Sequence, residues 1–89
     1  MLVFFCFIMQ PCTYILFSES LQQYYTGSTS DIKQRFSDHN NGLSKHTRKG
    51  RPWRMIYSIE CNSKTEALQL ENKIKKRGAK RYLEDLEKS

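Results

Sequence analysis

The sequence predicts a small α/β (α+β) domain, with a three-stranded, mainly antiparallel sheet flanked by helices in the order β-β-α-β-α. Three observations predict it. Short β-branched and aromatic runs recur at CTYILF, QYYTG and RMIYSIE. Two longer segments, after Ser30 and Ser63, carry helix-start residues followed by apolar residues at helical spacing. The whole chain has 89 residues, enough for one core and no second module.

Residues 1–11 form an apolar N-terminal extension, 12–86 the folded domain and 87–89 a tail. The opening run, MLVFFCFIM, is shorter than the ~20 apolar residues that span a bilayer. It also lacks the basic start and small-residue cleavage site of a signal peptide. It reads as a leader, an extra apolar segment or an overlong start with Met9 as the natural beginning; the last is favoured, since an exposed run of this kind invites aggregation. Residues 12–17 then form a buried strand, with Tyr14 and Leu16 on one face and Ile15 and Phe17 on the other. A polar loop over 18–22 leads to an antiparallel second strand, 23–27, which Gly27 ends. That glycine allows a sharp turn or close approach to a ligand.

The first helix is expected to start near Ser30, which can cap it, with Asp31 at the positive end of the dipole. With Ile32 at zero, Phe36 falls at about 40°, His39 at about −20° and Arg35 at about −60°. Ile32 and Phe36 therefore face the core, and Arg35 and His39 flank that face. A surface arginine and a half-buried histidine are the bland alternative. Asn40-Asn41-Gly42 stops the helix. The loop LSKHTRKGRPW follows, with Lys45, Thr47, Arg48, Lys49 and Arg51 as phosphate-contact candidates and Trp53 as its anchor. A plain solvated loop is the alternative.

The third strand, 54–60, is expected to present Met55, Tyr57 and Ile59 on one face. Ser63-Lys64-Thr65-Glu66 matches the capping box that opens a helix. Within ALQLENKIKK, Glu71 falls about 40° from Ala67, inside the apolar arc. A carboxylate there needs a partner, either a core-edge arginine or a metal ion. Lys75, Lys76 and Arg77 suit the helix C-terminus, and Gly78 ends it. A last short helix should pack Tyr82, Leu83 and Leu86 inward. Tyr14 and Tyr25 are expected on adjacent strands, and Arg35 and Glu71 on the same face.

Fifteen Lys and Arg against nine Asp and Glu give a net charge of +6, which favours a polyanionic partner. Lys75, Lys76, Lys80 and Arg81 extend the basic candidates. Three cysteines, Cys6, Cys12 and Cys61, have no CxxC spacing, so neither a disulfide framework nor a zinc site is expected. Free thiols fit a reducing compartment and a cytoplasmic protein with no membrane partner.

These motifs together resemble the GIY-YIG nuclease superfamily, most closely its short single-domain members. Cys12-Thr13-Tyr14 stands where the family has Gly-Ile-Tyr, and Tyr25-Thr26-Gly27 where it has Tyr-Ile-Gly. HNNG, RPW and EALQLENKIK complete the likeness. The resemblance implies a metal-dependent endonuclease acting on nucleic acid, DNA ahead of RNA, with Mg²⁺ or Mn²⁺ as cofactor. It places a general base at Tyr14, water orientation or proton relay at Tyr25 and His39, a phosphate-bracing cation at Arg35 and the metal ligand at Glu71. Gly27 and the basic residues above would line the nucleic-acid path. A non-cleaving nucleic-acid-binding module on the same fold is the alternative, with Glu71 purely structural.

Overall fold

The computed structural model describes residues 10–88; the extension over 1–9 lies outside the described residues. The elements are β1 (Cys12–Ser18), β2 (Gln23–Thr29), α1 (Ile32–Asn40), a 3-10 turn (Arg48–Gly50), β3 (Trp53–Glu60), α2 (Lys64–Arg77) and α3 (Ala79–Lys88). The sheet is antiparallel throughout and runs β2-β1-β3, so the first strand is central and the second is an edge.

The apolar β1 sequence follows from that central place, because both of its faces are covered. Tyr14 and Leu16 pack with Trp53, and Ile32 and Phe36 of α1 lie against this cluster. Thr13 and Ile15, also fully buried, point to the opposite face, where Thr13 Oγ1 donates to the Ala67 carbonyl of α2 at 2.7 Å. Ala67 and Ile74 of α2 are buried there. A Leu16→Ala cavity at such a site typically costs ~2–5 kcal/mol. Cys12 and Cys61 are buried free thiols.

Local signals place most element ends, with several corrections. The first helix is capped by Asp31 rather than Ser30; its carboxylate accepts from the Gln34 amide at 3.2 Å. Ser63 caps α2 as its sequence predicts, accepting from the Glu66 amide at 3.1 Å, while Glu66 reaches back to the Asn62 amide. Gly78 ends α2 at φ 94°, with nothing within 4 Å of where a Cβ would stand, so its backbone freedom alone explains it. The second strand does not end at Gly27 but continues to Thr29, since Gly27 pairs with Tyr14 inside the ladder.

The expected common face of Met55, Tyr57 and Ile59 is overturned by a β-bulge. Leu16 pairs with Met55, but Ile15 pairs with Tyr57. One extra residue on β3 therefore sends Met55 to the α1 face and Tyr57 and Ile59 to the other. Tyr57 there meets Tyr82 of α3, hydroxyl to hydroxyl at 3.4 Å. Tyr82 and Leu83 are half-buried as expected, whereas Leu86 is 42% exposed. The helix runs through Lys88.

Candidate active site

Register brings the tyrosines together. Tyr14 pairs with Gly27, and its neighbour Leu16 pairs with Tyr25, so both phenol rings lie on the α1 face with centroids 6.4 Å apart. Gly27 is where the Tyr14 ring needs bare backbone. A Cβ at residue 27 would stand 2.6 Å from the Tyr14 hydroxyl oxygen. The close approach expected for this glycine is therefore to Tyr14. Gly27→Ala should push the phenol out of place and cut turnover ~10²-fold, as misplacing a reacting group by about 1 Å does. Single-turnover cleavage beside a melting curve checks this.

The Tyr14 hydroxyl meets two side chains of α1. His39 Nε2 lies 2.9 Å away, and the Arg35 guanidinium is in hydrogen-bonding reach. His39 is fully buried, so it does more than flank the core as its helical angle suggests. Its other nitrogen, Nδ1, is 2.7 Å from Thr47 Oγ1. Its ring also meets Tyr25 edge-on at 5.0 Å. Burial and then the Arg35 charge push His39 below its ordinary range, so the imidazole is neutral at neutral pH. Burial pushes Tyr14 up to about 12, although Arg35 pulls the other way. The cation thus favours the phenolate, but desolvation outweighs it, and Tyr14 rests as a phenol.

Glu71 arrives from the other side. Its helix, α2, covers the face opposite α1, so Arg35 and Glu71 do not share a face as expected. They converge because β2 is the edge strand. Ser28 follows Gly27 and points to the α2 face, where its hydroxyl donates to Glu71 Oε1 at 2.6 Å. Tyr14 and Glu71 therefore meet consecutive residues of one strand from opposite sides. The carboxylate is close enough to act on Tyr14 electrostatically, helping to hold it protonated. Glu71 Oε2 pairs with Lys75 Nζ at 2.6 Å; the partner is an exposed lysine one turn on, and not an arginine. The Glu71 side chain is only 13% exposed.

Among the described residues no group of three or more His, Cys, Asp or Glu is placed to hold a metal ion. One carboxylate beside a serine hydroxyl still fits a hard cation such as Mg²⁺, which takes one or two carboxylates and completes its shell with water and substrate phosphate. Lys75, half exposed on a flexible stem, already brings positive charge to that carboxylate.

The basic candidates Lys45, Arg48, Lys49, Arg51, Lys75, Lys76, Lys80 and Arg81 are all exposed. Arg48 and Arg51 are tied to their own loop through Gly42 and Arg48 carbonyls. Thr47 departs from expectation: it is 1% exposed, and its hydroxyl faces His39 rather than solvent. Ser28 escaped the sequence reading, which gave Asn40 only as part of the helix stop. Asn40 accepts from the Trp53 amide at 2.6 Å and donates to its carbonyl at 3.1 Å, fixing the loop exit on α1. A clue to Ser28 was its place beside Gly27; the Asn40 role depended on long-range contact alone.

The sequence model of the GIY-YIG catalytic domain matches residues 10–83. The chain belongs to the GIY-YIG family. Within it, the relatives are UPF0213 proteins, a small GIY-YIG group. A UPF0213 protein of Streptococcus agalactiae is 43% identical over 54 residues, which are 60% of this chain and 61% of that one. One from Cupriavidus necator is 40% identical over 53 residues, 58% of each chain. These matches span less than two thirds of either relative. The solution NMR structure of a UPF0213 protein from Bacillus halodurans superposes with a TM-score of 0.54 at 33% identity, covering 88% of this chain and 85% of that one. The GIY-YIG assignment makes this a nuclease-family domain. No helix among its described residues is long and apolar enough to cross a membrane.

Proposed function

We propose that this GIY-YIG protein is a divalent-metal-dependent endonuclease that hydrolyses phosphodiester bonds in nucleic acid, DNA ahead of RNA. The observation that carries the proposal is the convergence at the β2 edge: the Tyr14 hydroxyl between Arg35 and His39 on one side, Glu71 on Ser28 on the other. A phosphate laid across Gly27 and Ser28 would reach both.

In this scheme a water attacks phosphorus while its proton passes to the Tyr14 oxygen. The Tyr14 proton passes in the same motion to His39 Nε2, so the tyrosine never has to exist as a free phenolate. His39, neutral beforehand, ends as imidazolium, and the bond from phosphorus to the leaving oxygen breaks, that oxygen taking its proton from solvent. Arg35 offers its planar fork of donors to the charge that develops on the phosphoryl oxygens. Tyr25 closes the pocket against the His39 and Trp53 rings and limits where the water can stand. Mg²⁺ or Mn²⁺ on Glu71 would supply further neutralisation of phosphate charge.

The exposed cations from Lys45 to Arg51, with Lys76, Lys80 and Arg81, would hold the flanking backbone. Binding is then weakly sequence-selective and salt-dependent. With about four phosphates neutralised on duplex DNA, the log–log salt slope should be near −3.6; a flat response would remove this electrostatic account. The Lys75–Glu71 pair is what favours the rival, a non-cleaving binder. Purified protein offered single-stranded, duplex and branched DNA and RNA, with Mg²⁺, Mn²⁺ or EDTA, separates the two. Metal-dependent cutting supports the nuclease, and binding with no cutting of any substrate supports the rival.

A further inference from the structure

Thr47 sits in the middle of the basic loop, yet it is among the most buried residues of the chain. Its backbone is clamped on both sides. The amide donates to the Ser44 carbonyl at 3.2 Å, and the carbonyl accepts from the Gly50 amide at 3.1 Å and from Trp53 Nε1 at 2.6 Å. Gly50 leaves room for the Trp53 indole, whose ring a Cβ would strike. Asn40 in turn fixes Trp53 to the last turn of α1. The Thr47 hydroxyl is therefore held in a set position relative to His39, which lies on that same turn.

The two ring contacts of His39 allow either direction, and the neighbouring donors and acceptors favour one of them. With the Arg35 cation acting on Tyr14 as a donor, the Tyr14 proton is best directed to His39 Nε2 at 2.9 Å. An accepting Nε2 puts the His39 proton on Nδ1, which donates to Thr47 Oγ1 at 2.7 Å. The Thr47 proton then turns to the Ser44 carbonyl at 3.4 Å. Arginine, tyrosine, histidine, threonine and a backbone carbonyl thus follow in a single donor-to-acceptor order.

We propose that Thr47 is a positioning residue that locks His39 in the Nδ1–H tautomer, so that Nε2 presents its lone pair to the Tyr14 hydroxyl; the catalytic consequence rests on the nuclease function proposed above. Without an acceptor at Thr47, a buried Nδ1–H would be unsatisfied. The proton would move to Nε2 and donate to the Tyr14 oxygen, reversing the relay. The loop that carries the phosphate-facing cations therefore also sets the protonation pattern of the catalytic side chains.

Two-bond ¹H–¹⁵N spectra of the His39 ring, recorded on the full chain at neutral pH, test this directly. In the wild type the ring proton is expected on Nδ1. In Thr47→Val, which keeps the shape but loses the hydroxyl, it is expected on Nε2, with kcat down ~10²-fold and nucleic-acid affinity unchanged. Thr47→Ser keeps the hydroxyl and restores the Nδ1–H tautomer and most of the rate. A wild-type His39 protonated on Nε2 overturns the proposal, and so does a Thr47→Val protein that keeps Nδ1–H or turns over as the wild type does. If Thr47→Val does not fold, the wild-type and Thr47→Ser tautomers decide. A wild type that cuts no substrate would sink the nuclease function while the spectra still report whether Thr47 holds the tautomer.

Discussion

Glu71→Gln is expected to abolish metal-dependent cleavage while leaving the fold intact. Glutamine keeps the shape and an oxygen that can accept from the Ser28 hydroxyl, which is now 2.6 Å from Glu71 Oε1. What it removes is the charge. Charge neutralisation by a bound metal contributes several kcal/mol at a phosphoryl transition state, so the loss should reach ~10³-fold in rate. The stability cost is small because the partner is Lys75, an i,i+4 neighbour whose side chain is 52% exposed. Such pairs contribute only ~0.5 kcal/mol. Had Glu71 been buried against an arginine, the substitution would have stranded a cation at ~3–5 kcal/mol. Melting temperature without metal and cleavage with Mg²⁺, measured on the same variant, read both quantities. A strongly destabilised variant that still cuts when folded would remove Glu71 from the metal site.

Arg35→Ala should reduce cleavage ~10²–10³-fold, the usual cost of losing a donor aimed at developing charge. Nucleic-acid binding should survive in part, since the exposed cations of the 45–51 loop remain. Arg35 is itself exposed at the surface of α1, so its removal leaves no cavity. Its loss would also take away a charge that favours ionisation of Tyr14 against the effect of burial. Arg35→Lys would not restore the rate, because an ammonium lacks the planar fork that can serve Tyr14 and a phosphate together. Single-turnover rates beside equilibrium binding check this; unchanged turnover in Arg35→Ala would take the arginine out of the catalytic set.

Local chemistry explains what was legible without coordinates. Period and composition mark three strands and three helices, because alternation and helical spacing are properties of neighbouring residues. Ser63 caps α2 as its spacing predicts, while Glu66 reaches one residue further back, to the Asn62 amide. Tyr14 and Tyr25 fall on adjacent strands because a short hairpin fixes their register. Trp53 anchors the basic loop, as a lone tryptophan after a polar stretch suggests.

Where pattern failed, the cause was a contact between residues far apart in the chain. The bulge opposite Ile15 and Leu16 turned Met55 and Tyr57 to different faces, and nothing in RMIYSIE marks it. Thr47 looked like one more hydroxyl in a phosphate loop until folding buried it on His39. Angles around α1 and α2 placed Arg35 and Glu71 relative to their own helices, but not the helices relative to the sheet. By itself the sequence determined most of the elements and the positive charge, both set by short-range propensity and composition. Only the tertiary structure decided that helices on opposite faces meet around one strand. The reason is strand order: with β2 at the edge, one residue, Gly27, receives Tyr14 from one side and the next, Ser28, receives Glu71 from the other.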